Sequence, residues 1–98
     1  MKFEYDPEKS ALNQKKHGIS LEEAKALWLA VGVEIQGRTE DEPRFLRIGK
    51  LKGRLHSCVY TVRQDVIRLI SARRSRKEEE KIYEERIKIK DEETREKN

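Results

Sequence analysis

A single cysteine, Cys58, excludes an intramolecular disulfide and any paired-thiol metal site, and two histidines, His17 and His56, leave little imidazole for metal or acid–base chemistry. There is no Walker-type glycine-rich loop, no nucleophile elbow and no internal repeat. Neither a metal nor another cofactor is therefore expected. No stretch approaches the roughly 18 apolar residues of a membrane span. The opening Met1-Lys-Phe-Glu-Tyr-Asp6 also lacks the apolar segment of a secretory leader, so the expected location is the cytoplasm, with no membrane partner. Cys58 sits in His56-Ser-Cys-Val-Tyr60, a setting that reads as strand interior and hence as a buried thiol.

Charge is what the chain has in excess: 43% of its 98 residues are charged and 35% are hydrophobic, against a usual charged share of about 25%. That length suits one domain, which buries roughly two thirds of its unfolded surface around one modest core. The domain is expected over residues 1–90, with 91–98 a charged, frayed tail. The net charge of +4 conceals an asymmetry. Ten Lys and Arg lie between Arg44 and Arg76, opposed by Asp65 alone, giving +9 there and −5 over the rest. Such a block is a footprint for a polyanion. Phe45, Leu46, Ile48, Leu55, Val59, Tyr60, Ile67, Leu69 and Ile70 run through it, so it must fold rather than trail as a basic tail.

Asp6-Pro7 is a helix start and Gly18, after Lys15-Lys16-His17, a helix stop, which predicts a first helix over 7–17. Its only apolar residues are Ala11 and Leu12, so it has no wide hydrophobic stripe. Ser20-Leu-Glu-Glu23 reads as a capping box opening a second helix, whose core positions are Leu21, Ala24, Leu27, Trp28 and Val31. A short strand follows around Val33–Ile35, then an exposed turn through Glu40-Asp41-Glu42. Alternation over Arg44–Leu51, Arg54–Arg63 and Val66–Arg73 predicts three strands, the first two joined by a tight turn at Lys52-Gly53. Ser75-Arg-Lys-Glu78 reads as a capping box for a charged terminal helix that docks through Ile82, Tyr83 and Ile87. The fold class is α+β: two N-terminal helices, a small antiparallel sheet of three to four strands, and a C-terminal charged helix.

The cations on and beside the sheet include Arg44, Arg63, Arg68, Arg73, Arg74 and Arg76, and arginine grips phosphate with two parallel hydrogen bonds. Period two on the last strand puts Arg68, Ile70, Ala72 and Arg74 on one face and Ile67, Leu69, Ser71 and Arg73 on the other, so Arg73 and Arg74 cannot share one phosphate. His17 ends the first helix, where the dipole favours a cationic ring, so it is a general acid, a phosphate ligand or a helix-closing surface residue. His56, Trp28, Tyr60 and Tyr83 read as packing residues.

Phe3-Glu-Tyr-Asp-Pro-Glu-Lys9, Asn13, Lys16-His17-Gly18-Ile19-Ser20, Glu23-Ala24, Glu42, Arg44, Ile48-Gly49, Val59-Tyr60-Thr61, Arg68-Leu-Ile-Ser-Ala-Arg73-Arg74, Glu79 and Tyr83 together resemble the BrnT family of type II toxins. The likeness covers residues 3–86, with Tyr5 where Trp is common, Leu21 where Phe is common, and a longer charged extension after Arg86. The resemblance implies a RelE-like fold and an endoribonuclease, a hydrolase that inhibits translation. It also implies a BrnA-type antitoxin, a heterotetramer of two toxins and two antitoxins, and operator DNA contacted through the antitoxin. Metal-independent cleavage by the ribose 2′-OH needs a base, an acid and cations for the phosphate. The candidates are Lys16 or His17 for proton transfer, Glu42 as base or arginine-orienting carboxylate, and Arg44 with Arg73 or Arg74 on the phosphate. Arg47, Arg63, Arg68 and Arg76 are candidates for holding the rest of the RNA. Two other classes fit the same residues: a non-catalytic nucleic-acid or antitoxin-binding module, and a toxin that has lost activity.

Overall fold

Local signals set most of the element boundaries in the computed structural model, which describes residues 1–37 and 41–96, with side chains as far as Lys90. The order is β1 (Lys2–Glu4), α1 (Pro7–His17), α2 (Leu21–Ala24) continuing as a 3-10 turn (Lys25–Trp28), β2 (Gly32–Gln36), β3 (Phe45–Leu51), β4 (Arg54–Arg63), β5 (Val66–Arg74) and α3 (Lys77–Glu96). Asp6 caps α1 by accepting from the Glu8 N–H, and Gly18 closes it in the left-handed conformation at φ 75°. Ser20 and Glu23 exchange both bonds of the expected capping box. The class is α+β. The expected frayed tail falls on residues whose side chains lie outside the described set, as does Glu40 of the acidic run; the α3 backbone reaches Glu96.

Four details differ from the sequence expectation. The sheet has five strands in the order β1-β5-β4-β3-β2 and is mixed, because β1 pairs in parallel with β5 at Lys2↔Val66, Phe3↔Ile67 and Glu4↔Arg68. A three-residue strand is too short to show alternation, and its partner is more than 60 residues away. The second helix does not run through Val31. It tightens to 3-10 geometry after Ala24, and Leu29 and Val31 are exposed at 91% and 64%. The cause is Arg47 on β3, whose Nε and Nη2 donate to Leu27 O at 2.9 Å and Ala30 O at 3.1 Å and so terminate the helix. Gly32 makes room for that guanidinium, since a Cβ there would lie 2.6 Å from Arg47 Cζ.

A third difference is a bulge. Val59 pairs with Ser71 but Tyr60 pairs with Leu69, so Ile70 is an extra residue and the phase of β5 changes there. Ile67, Leu69 and Ala72 therefore share the face packed by Ile19, Leu21, Ala24 and Leu27, and alternation carries Arg74 to that side. Arg68, Ser71 and Arg73 share the opposite face, where Val33, Ile48, Leu55 and Tyr83 form a second core under α3. Arg73 and Arg74 still point apart. Fourth, the cap of α3 is displaced by one residue: the Arg76 N–H donates to Glu79 Oε1 at 2.8 Å, while Ser75 Oγ bonds Ser57 Oγ at 2.7 Å.

Polar bonds do for α1 what an apolar stripe does elsewhere. Its buried residues are Ser10 and Asn13, and Leu12 is 64% exposed. Ser10 Oγ accepts from the Leu21 N–H at 2.9 Å, and Asn13 bonds the backbone of both Ile19 and Ala72. Ile82, Tyr83 and Ile87 dock α3 as expected. Cys58 is fully buried, and that burial pushes its thiol up to about 12.

Candidate active site

The mixed sheet leaves part of its α3 face uncovered, because α3 packs mainly over β2 and β3 and meets β4 and β5 through Leu55, Ser57 and Arg73. A cleft of about 420 Å³ opens there between the β2–β3 connection and the start of α3. Leu46 and Val59 line it from the sheet, Asp41, Glu42 and Arg44 from the connection, and Arg73 and Glu79 from the β5–α3 junction. The connection is anchored where it matters. Thr61 Oγ1, fully buried, donates to Pro43 O at 2.6 Å, and the Gly37 N–H donates to Arg44 O at 2.8 Å, which holds Arg44 at the lip. Among the described residues its guanidinium forms no ion pair.

Glu42 and Arg73 are each gripped by a partner. Arg63 Nε and Nη2 donate to the two Glu42 oxygens at 2.9 and 2.8 Å, and this pair is half exposed. The Arg63 hydrogen bonds, reinforced by the charges of Arg63, Arg44 and Arg68, hold the Glu42 carboxyl below its usual range despite partial desolvation. Glu42 is thus an anion between cations. Arg73 Nη1 and Nη2 donate to Glu79 Oε1 and Oε2 at 2.8 and 2.9 Å, with side-chain exposures of only 23% and 13%. Glu79 also accepts from Ser57 Oγ at 3.0 Å. Burial raises the Glu79 carboxyl, but the bonds from Arg73, the Arg76 N–H and Ser57 outweigh it and bring the value down to about 2.

The sequence candidates are therefore divided. Glu42, Arg44 and Arg73 meet in one cleft. Lys16 and His17 line another, shallower one of about 200 Å³ between α1 and β5, with Lys9, Asn13, Ile70 and Ser71. The two are neighbours across the sheet, since Ser71 in the second lies directly opposite Val59 in the first. Arg74 opposes His56 in register, on the other face from Arg73. Arg68 pairs with Glu4 at 3.5 Å and Arg63 with Glu42, both beside the first cleft. Arg76 is exposed at the α3 start. Arg47 lies on the helix face, over the Trp28 ring at 5.5 Å and paired with Glu34. Its fork is engaged in closing the helix.

Glu79 and Thr61 carry the geometry of the cleft without having been singled out as site residues. The sequence points one residue away from Glu79, because Ser75 and Glu78 fit the capping pattern while Arg76, whose N–H bonds Glu79, has no capping side chain. Among the described residues no group of three or more His, Cys, Asp or Glu side chains is placed to hold a metal ion, and no helix is long and apolar enough to cross a membrane.

A family described as "Ribonuclease toxin, BrnT, of type II toxin-antitoxin system" has a sequence model that matches residues 5–79. The matched span begins just after β1 and ends on Glu79, so it contains every lining residue of both clefts. No curated protein matches the chain.

Proposed function

The chain belongs to the BrnT family of ribonuclease toxins of type II toxin–antitoxin systems, and from that premise we propose that it is an endoribonuclease whose active centre is the cleft of Glu42, Arg44 and Arg73. The observation that carries this reading is the meeting, in one concave site on the basic sheet, of a carboxylate with one arginine that has no ion partner among the described residues and another that is rigidly held. RNA cleavage without a metal proceeds by attack of the ribose 2′ oxygen on the adjacent phosphorus as the bond to the 5′ oxygen breaks. It leaves a 2′,3′-cyclic phosphate and a 5′-hydroxyl. Arg44 and Arg73 stabilise the charge that grows on the non-bridging oxygens. Glu42, kept ionised by Arg63, accepts the 2′-OH proton. Lys16 or His17, in the adjoining cleft, supplies the proton to the leaving 5′ oxygen, and Arg63, Arg68 and Arg76 hold flanking phosphates.

A type II toxin has a protein antitoxin, and membership brings that partner with it. The finer reading is a BrnA-type antitoxin, two copies of each chain per complex, operator DNA bound through the antitoxin, and arrest of translation in the cytoplasm. The basic block supports only the antitoxin part of it, as a surface for an acidic partner. The test is incubation of RNA with purified protein in chelator. Wild type should leave cyclic-phosphate ends, and Arg44→Ala and Arg73→Ala should each cut about 100-fold more slowly while remaining folded. Full activity in both variants would refute the site.

One observation favours a purely binding role: Glu42 and Arg73 are both already engaged by Arg63 and Glu79. Retention of intact RNA in the same assay would select that reading.

A further inference from the structure

Arginine carries five N–H groups in a plane, and they form two distinct forks: an end-on one from Nη1 and Nη2, and a side-on one from Nε and the neighbouring Nη2 hydrogen. At Arg73 the end-on fork is fully committed to Glu79, at 2.8 and 2.9 Å. The remaining Nη1 hydrogen goes to Arg74 O at 3.2 Å. Two donors are left, on Nε and Nη2, and no partner takes them among the described residues. They are the two parallel donors of the side-on fork. Arg73 lines the cleft, so the guanidinium arrives there with one edge used and one edge open.

Glu79 is itself fixed more tightly than an ordinary surface acid. Its oxygens accept from Arg73 twice, from the Arg76 N–H that starts α3, and from the Ser57 hydroxyl, which is 1% exposed and braced by Ser75. We propose that Glu79 is a positioning residue that locks Arg73 end-on, so that the open Nε–Nη2 edge takes two oxygens of a single RNA phosphate. The proposal rests on the ribonuclease reading for the identity of the ligand, but the geometry requires only a phosphodiester or phosphate anion. It makes the neutralising carboxylate part of the site: Glu79 offsets the cost of burying Arg73 and removes the rotamer freedom that phosphate binding would otherwise have to freeze.

The experiment follows the Arg73 Nε–Hε resonance in ¹⁵N-labelled protein during titration with inorganic phosphate and with an uncleavable 2′-deoxy dinucleotide. In wild type the resonance should move and saturate with both. In Glu79→Gln, where an amide N–H faces an arginine donor, saturation should need about tenfold more ligand, and RNA cleavage should fall about 100-fold. Ser57→Ala, which spares the ion pair, should give a smaller change in the same direction. Arg73→Lys separates positioning from packing, because lysine can pair with Glu79 but has no second fork. It should keep wild-type thermal stability within a few degrees while cleaving RNA as poorly as Arg73→Ala. A stationary wild-type resonance in both titrations, or full activity in Arg73→Lys, would overturn the proposal. A resonance that moves in a protein that cleaves no RNA would support the Glu79–Arg73 site and sink the ribonuclease reading alone.

Discussion

Replacing Asn13 by alanine should cost this small domain a large share of its stability, although the residue is polar and no charge is involved. Its side chain is only 7% exposed and makes three bonds: Nδ2 donates to Ile19 O and to Ala72 O, both at 2.7 Å, and Oδ1 accepts from the Ala72 N–H at 3.2 Å. Ala72 lies beyond the end of the β1 pairing at Arg68, so its outer backbone groups have no strand beside them, and the Asn13 amide takes the place of one. Alanine would leave two carbonyls and an N–H buried and unbonded, at about 1–3 kcal/mol each before water recovers part of it. A net loss of about 3–5 kcal/mol follows, against about 5–15 kcal/mol for a typical domain. At roughly 4–8 °C per kcal/mol for a chain of this size, Tm should fall by about 12–40 °C. Trp28, at the end of the 3-10 turn and edge-on to Phe3 and Tyr60, reports unfolding in a urea titration. Asn13→Asp makes the case sharper. The carboxylate keeps one acceptor but faces two carbonyl oxygens, so at neutral pH it should be at least as damaging as alanine. It should recover partly in acid, when a protonated oxygen can donate. A loss below about 1 kcal/mol for Asn13→Ala would refute the reasoning, because α1 would then be held by something other than this amide.

Glu79 predicts acid sensitivity with a definite sign. Its folded value of about 2 lies below the ordinary carboxylate value of about 4.5, so its contribution is fully present above about pH 5 and is lost as pH falls towards 2. The difference of about 2.5 units corresponds to roughly 3 kcal/mol, and the stability advantage of wild type over Glu79→Gln should shrink across that window in urea titrations at successive pH values; parallel curves would contradict it. Thr61→Val keeps the shape but removes the donor to Pro43 O, so Tm should drop by only a few degrees while cleavage falls at least tenfold as Arg44 loosens. Cleavage that tracks the folded fraction would show that the anchor is irrelevant to the site. Cys58, fully buried with its thiol raised to about 12, should resist iodoacetamide at pH 8 in native protein and react in urea; fast native labelling would contradict the buried assignment.

Local grammar was legible wherever a few adjacent residues settle a local question. Asp6-Pro7, Gly18, the Ser20–Glu23 box and the β3–β4 turn all stand where the sequence places them. The structure departs from these local signals where a distant group intervenes. Arg47 arrives from β3 to take the last carbonyls of the second helix, and nothing near Val31 announces it. Ile70 is a bulge whose only evidence is the pairing on β4, and it shifts the last strand's faces by one residue. The site was legible as a list of cations but not as a place: Arg47 and Arg73 are both arginines in alternating strands, yet one closes a helix and the other lines the cleft.

By itself, the sequence determined a folded basic sheet in a chain whose remainder is net acidic, because charge and apolar alternation are properties of neighbouring residues and survive any arrangement of the whole. It also carried the family likeness across its separated motifs. Only the tertiary structure decided which cations remain available. An ion pair depends on two side chains meeting in space, and whether Glu79 meets Arg73, Glu42 meets Arg63 or Asn13 replaces a missing strand is settled by strand register, a one-residue bulge and the angle of a helix.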